Sequence, residues 1–333
     1  MELTTLETQL RDKNQDIFKI YQIIKKGMSI ILKNYELKKN LDPWESIVDY
    51  YTLHGYQHCK NVLTKLNYLL IDASLNPYEL FYILSAVWLH DIGMIKYPNN
   101  YDILTVRKCH HITSVNYFKD YFSPEYLENK ALPGEFRLTN KDKSAICNII
   151  KYHRRDENIK EVEEFFDRDG IENRVFLRFL CAIFRIADGI ELDNSRAPFF
   201  IYEKNKESMP YLNKIFWEKH FPINSIIPKM DKDKRGLMEI EIKFSRSESP
   251  DGRIHGRDLV SILDQGITDI KSEIDSVAGE INPSSPGFPG SKRITFTDFL
   301  FINEEKTADD PDRIFRFKEK EEPLGWSIRE DVG

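Results

Sequence analysis

Residues 86–95 read AVWLHDIGMI, and they set a histidine and an aspartate side by side at the end of an apolar helix. Counting back from Asp91, the residues Trp88, Val87, Leu84 and Leu80 recur at helical spacing, so the carboxylate lies on the face that packs into a core. Gly93 stops the helix. A helix C-terminus carries partial negative charge, and an unpaired carboxylate on a buried face there is penalised by both the dipole and the loss of water. A cation must offset it. Arg or Lys would serve, but the adjacent imidazole points to a divalent metal ion, whose usual ligands are imidazole and carboxylate. The remaining ligands must come from elsewhere in the chain.

Four other segments end or begin in the same way. In HGYQHCKNVLTKL, residues 54–66, His58 shares a helix face with Val62, Leu66 and Leu69, and His54 stands one turn earlier. A helix opening at RKCHHITS carries His110 on a stripe with Ser114, Tyr117 and Tyr121, and leaves His111 off that stripe. Residues 141–153 lead through Ile146, Ile149 and Ile150 to His153, and VFLRFLCAIFRIAD, residues 175–188, leads through Leu177, Leu180, Cys181 and Phe184 to Asp188 just before Gly189. One histidine on an apolar face is ordinarily a satisfied core residue. Four helices each delivering His or Asp to the same kind of position are expected to converge on one site.

With 333 residues, 41% hydrophobic and 31% charged, the chain supports a substantial core plus a smaller module. A formal net charge of −6 argues against a general nucleic-acid coat and leaves a local basic pocket open. The polar N-terminus MELTTLETQLRDKNQD and the lack of a bilayer-length apolar run predict no signal peptide, no membrane span and a cytoplasmic location. Cys59, Cys109, Cys147 and Cys181 show no paired spacing and read as small core thiols in helices.

The ordered series HGYQH with Val62, LHDIGM, HHITS and RIADGIELDNSR resembles the HD-domain metal-dependent phosphohydrolases, and more narrowly the HD domains of bacterial conflict and defence systems, over about residues 45–200. The last segment is also similar to HD regions of exopolyphosphatase-like proteins. The resemblance implies a mainly α fold, a helical HD-domain bundle, with His58, His90, Asp91 and Asp188 holding a divalent ion (Mn, Mg, Fe, Co or Ni) that activates water for phosphoester hydrolysis. It implies catalytic parts for Asp91, His110 and His153, the last two either as ligands of a second metal or as acid, base or phosphate donors. Lys151, Arg154 and Arg155 around His153 attract phosphate and repel a second cation, which favours the substrate-facing role. Their bland alternative is a solvated basic helix end. His54 is expected to orient His58 or touch substrate, and Arg185 to contact substrate or pair with Glu191 or Asp193. Arg196 is the weaker of the two arginines, and His220 and His255 read as surface residues.

Beyond Pro198 the texture changes to a small α/β appendage, so the chain divides into an N-terminal helical extension (1–44), the HD unit (45–200) and the appendage with a charged, loose tail (201–333). Residues 238–244 alternate as a strand, a helix runs from Leu259 to about Val277, the Pro- and Gly-rich run 282–290 is a loop, and 294–302 is another strand. The expected activity is cleavage of a phosphoester or phosphoanhydride bond in a nucleotide-type substrate or other phosphorylated small molecule, in an antiphage setting. The motif that follows HD in deoxyguanosine triphosphatases is absent, since IGMIKYPNN follows Asp91. The competing reading is a non-catalytic regulatory module that senses a nucleotide or docks on a partner, which would be a second copy of the chain or an operon-encoded protein.

Overall fold

The computed structural model describes residues 3–41, 50–121, 138–230, 237–245, 253–254, 257–283, 288–289, 292–307, 310, 314–318 and 327–329. Ten helices, among the described residues, carry the fold: α1 (Thr5–Lys13), α2 (Gln15–Leu41), α3 (Tyr56–Leu69), α4 (Pro77–Leu89), α5 (Ile103–Tyr121), α6 (Asn140–Tyr152), α7 (Leu177–Gly189), α8 (Phe199–Asn205), α9 (Tyr211–Glu218) and α10 (Leu259–Ile281). The fold is mainly α, with a small sheet toward the C-terminus.

At the centre is α4. Every residue from Glu79 to Leu89 is buried, as expected of a helix that is apolar all round. Its start is set by a capping box between Asn76 and Glu79, with Pro77 at the first helical position. The same device, Thr139 with Asp142, starts α6. The N-terminal helices dock on α4 through polar as well as apolar contacts: Trp88 Nε1 donates to the Tyr21 hydroxyl at 3.0 Å, and Tyr21 in turn donates to buried Glu7 at 2.5 Å.

The strands are β1 (Phe166–Asp167), β2 (Arg174–Val175), β3 (Ile223–Met230), β4 (Leu237–Phe244), β5 (Arg253–Ile254), β6 (Arg257–Asp258), β7 (Thr295–Asn303), β8 (Ile314–Lys318) and β9 (Ser327–Arg329). The sheet has the order β3-β4-β7-β8-β9, with two-stranded ribbons β1-β2 and β5-β6 apart from it. All neighbours are antiparallel except β4 and β7, whose parallel pairing requires the crossover through α10. The charged tail expected to be loose contributes β8 and β9. Within the run 282–290, residues 284–287 and 290 lie outside the described residues, as do Asp42–Trp44, Pro133–Gly134 and His255.

One apolar core runs from Leu6 to Phe301 and joins helices to sheet. Two buried ion pairs reach the same boundary, one through its hydrogen bonds to Ile226 and one directly. Lys65 of α3 reaches both Asp193 oxygens (2.9 and 3.0 Å) and the Ile226 carbonyl of β3, and Lys292 reaches Glu79 at the head of α4 at 2.6 and 2.7 Å. Removing one partner of such a pair strands a buried charge, at a cost of several kcal/mol, so these pairs fix how the C-terminal segment sits on the bundle. The four cysteines are free: three are buried, and Cys109 is half-buried.

Candidate metal centre

Three helices end at the site. His90 caps the C-terminus of α4, with Asp91 next to it; His153 caps α6; and Asp188 lies in the last turn of α7. Each end contributes partial negative charge, so the scaffold itself favours a cation there. His58 comes from the first turn of α3 and His110 from α5. The turn Ile92–Met94 brings α5 close. Gly93 does more than end a helix: its N–H donates to Ser114 Oγ at 2.8 Å, and a β-carbon on it would stand 2.1 Å from the His110 carbonyl oxygen. Only glycine permits this approach, which carries His110 to Asp91.

The Asp91 carboxylate lies between two groups of ring nitrogens. Its Oδ2 is 3.3 Å from both His58 Nε2 and His90 Nε2, and its Oδ1 is 3.3 Å from His110 Nε2 and 3.7 Å from His153 Nε2. Asp188 Oδ1 adds to the first group, 3.2 Å from His58 Nε2 and 3.6 Å from His90 Nε2. Two sets result, His58–His90–Asp91–Asp188 and Asp91–His110–His153. They share one residue.

The outward nitrogens show which form each imidazole takes. Nδ1–H donates to Glu191 Oε2 in His58 (2.8 Å), to the Val87 carbonyl in His90 (3.1 Å), to the Arg107 carbonyl in His110 (2.7 Å) and to the Ile150 carbonyl in His153 (2.6 Å). With one proton held on Nδ1, His110 and His153 turn a lone pair inward, and His58 and His90 do so once their second proton is displaced. His58 and His90 Nε2 stand 3.0 Å apart, and His110 and His153 Nε2 stand 3.2 Å apart. Paired lone pairs beside carboxylate oxygens repel unless a cation sits among them. Asp188 Oδ1 is moreover a buried oxygen with no hydrogen-bond donor among the described residues, so the donor set fits a divalent ion.

Titration follows the same logic. Burial alone would raise Asp91 and Asp188, but the surrounding imidazoles hold both well below the usual carboxylate range. Burial likewise disfavours charge on His90, yet Asp91 and Asp188 push it up to about 9, and His58 rises for the same kind of reason through Asp188, Asp91 and Glu191. In His110 and His153 burial wins, lowering them to about 4 and about 3. Those two are neutral and ready to ligate at neutral pH.

A cavity of about 210 Å³ opens over the ligands. His54, Arg154 and Arg155 line it, together with Arg107, Arg196, His220 and Glu273. His54 donates Nδ1–H to the Thr52 carbonyl and accepts from Arg196 Nη2 at 2.9 Å, so its second nitrogen is engaged. Arg196 also pairs with Glu191 at 3.3 Å, whereas Asp193 takes Lys65. Arg185 does not reach the cavity. Its guanidinium is buried and donates to the carbonyls of Tyr152 (3.0 and 2.7 Å) and Glu157 (2.9 Å), which fastens the chain around His153. Lys151 also faces away, toward Glu157 at 3.4 Å and the Tyr152 hydroxyl at 3.2 Å. His111 stands off the ligand stripe, on Glu157 at 2.9 Å.

His220 corrects the surface reading: it is buried, donates Nδ1–H to the Phe216 carbonyl at 2.7 Å, and lines the cavity. The sequence reading left out Arg107 and Glu273, and named Glu191 only as a partner for an arginine. Glu191 was discernible as an acid three residues after Asp188, and Arg107 as a cation one turn before His110. His220 and Glu273 come from α9's end and α10 without any motif.

A family model described as HD-CE matches residues 48–255, more than half of the chain. Neither a curated protein nor a solved structure matches it. No helix among the described residues is long and apolar enough to cross a membrane. The buried His and Asp cluster fits an HD-type metal site that can hold a divalent ion, and with the family match it makes this chain a member of the HD-CE family.

Proposed function

We propose that the protein is a metal-dependent phosphohydrolase that cleaves a phosphoester or phosphoanhydride bond of a nucleotide-type substrate, with two ions sharing Asp91. The observation that carries this reading is the Asp91 carboxylate, which offers each oxygen to a different pair of imidazoles at 3.3–3.7 Å. Divalent ions in such a pair supply Lewis acidity, activating water and drawing charge from phosphoryl oxygens.

The chain's own groups do the rest. Glu191 holds His58 in its ligating tautomer, and the backbone carbonyls of Val87, Arg107 and Ile150 do the same for the other three rings. Arg154 and Arg155, on the cavity wall, suit the oxygens of a bound phosphate. On this proposal His110 and His153 act as ligands before they act on substrate. The basic neighbours that argued otherwise are largely accounted for: Lys151 pairs with Glu157, and Arg154 with Asp156 and the Arg107 carbonyl.

The second reading is a regulatory module that holds a nucleotide without cleaving it; the second ligand set, Asp91–His110–His153, supports hydrolysis because paired ions clamp both the attacking and the leaving oxygen. The antiphage setting is part of the proposal too, and the resemblance of the motif series is what supports it.

The test supplies Mn, Mg, Co, Ni or Fe to the purified chain with bis(p-nitrophenyl) phosphate, nucleoside mono- and triphosphates and cyclic nucleotides. Metal-dependent product release that disappears in Asp91→Asn is expected. No turnover with any pair, or turnover undiminished in Asp91→Asn, would overturn the reading.

A further inference from the structure

Beside the metal cavity lies a second recess of about 450 Å³, and Thr52, Arg107 and Phe216 belong to the walls of both. The two spaces are therefore neighbours across these three residues. The recess is largely apolar, built by Tyr50 before α3, Leu104 of α5, and Leu212, Ile215 and Phe216 of α9. Leu104 and Leu212 are 72% and 74% exposed and Phe216 is 42% exposed, so large apolar groups stand open to solvent at the mouth of a charged pocket. Asn213 and Gln265 supply amides at its edge.

Arg107 stands at the junction. Its guanidinium lies 4.4 Å from the Phe216 ring centroid and 5.2 Å from that of Tyr51, and among the described residues it makes no ion pair. An arginine stacked on aromatic rings, with its charge left for a ligand, suits a molecule that is anionic at one end and flat at the other. A cavity of this size is within the range that holds small ligands.

We infer that the recess is a subsite for a planar aromatic group, a nucleobase, carried on the same molecule whose phosphate enters the metal cavity. This rests on the phosphohydrolase reading and extends it from phosphate to base. The base lies against the apolar wall of Tyr50, Leu104, Leu212 and Ile215, and Arg107, held on the Phe216 ring that also carries Lys219 Nζ at 4.0 Å, bridges base and phosphate.

Binding of AMP and of ribose 5-phosphate, which lacks only the base, to the metal-loaded full chain tests the assignment by calorimetry. AMP is expected to bind tighter than ribose 5-phosphate by about 5- to 100-fold, the usual effect of one stacked base. Leu104→Gln with Leu212→Gln, both at exposed positions, and separately Phe216→Ala, should remove most of that advantage and leave ribose 5-phosphate binding by the Leu pair variant unchanged. Equal affinity of the two ligands, or an AMP advantage that survives both variants, overturns the subsite and spares the phosphohydrolase reading. If neither ligand binds and no phosphate ester is hydrolysed, the parent reading fails and the subsite falls with it.

Discussion

Replacing Gly93 by alanine tests how the two ligand sets are held together. The added methyl group would stand 2.1 Å from the His110 carbonyl oxygen and 2.9 Å from both the His110 carbonyl carbon and the Ser114 nitrogen. These are backbone atoms of a helix and cannot rotate aside. Carbon contacts are comfortable from about 3.5 Å, so α5 must retreat by roughly 1.4 Å. Metal–ligand bonds tolerate about 0.2 Å, so His110 leaves its set while His58, His90 and Asp188, carried by α3, α4 and α7, stay in theirs. Overpacking of this kind costs about 1–3 kcal/mol, which a chain of this size survives with Tm lowered by several degrees. Elemental analysis after dialysis should find two ions per wild-type chain and one in Gly93→Ala, with turnover lower by at least about a hundredfold. A folded Gly93→Ala protein with two ions and wild-type turnover would refute the argument that this glycine sets the second site.

Asp91→Asn should lower the content of both ions, since it alone serves both sets, whereas Asp188→Asn should lower only one; plasma mass spectrometry distinguishes them. Glu191→Gln, which weakens the hold on His58 Nδ1, should weaken metal binding about 10- to 100-fold without unfolding the chain, read by competition with a chelating dye. Because His90 is raised to about 9 and His58 is raised as well, binding at their set displaces protons at pH 7 and tightens as pH rises from 6 toward 9; His110 and His153, lowered to about 4 and about 3, release none there, so proton release on Mn titration in weak buffer should come from one set only. Glu273 keeps its proton to about pH 7 in the fold, chiefly through burial, against an ordinary value of 4.5, so the folded chain binds more protons than the unfolded one between those values and stability falls as pH rises through that window; Glu273→Gln should flatten this part of a Tm-against-pH curve measured without metal.

What could be read from the sequence followed the apolar periodicity. The stripes ending at Asp91, His153 and Asp188 say both that a helix is there and which residue its buried end presents, because a polar group at such a position needs a partner. The sharing of Asp91 between two sets could not be read that way, since it depends on how closely α5 approaches the turn after α4, and that distance is set by one missing methyl group. His220 looked like a surface residue for an intelligible reason. Its neighbours Lys219 and Glu218 are charged, yet both are buried with partners, Lys219 on Asp269 at 2.9 Å and Glu218 on the Tyr202 hydroxyl at 2.9 Å. Local polarity signals exposure only while charges stay unpaired. The tail misled similarly: β8 spans IFRFK, whose two-residue alternation is a strand pattern, but dense flanking charge obscured it.

The segment after Asp188 does more than append a sheet to a helical bundle. Glu273 of α10 packs so closely on the end of α7 that a β-carbon on Gly189 would stand 2.8 Å from its Cγ, and its buried Oε2 has no hydrogen-bond partner among the described residues. Phe216 and His220, from α9 and the turn after it, line the cavity from the same side of the chain. The ligand sets thus come entirely from the bundle, while much of the wall that a substrate would meet comes from residues that carry no motif. A cavity assembled in this way separates two demands. Ligand positions must hold to a fraction of an ångström and sit at the ends of packed helices, whereas the wall can change in size and polarity through α9 and α10 without moving a ligand. Members that share the motif series can therefore share the metal chemistry and still differ in what they bind, which is why the recess beside Arg107, and not the HD residues, is the place to look for substrate choice.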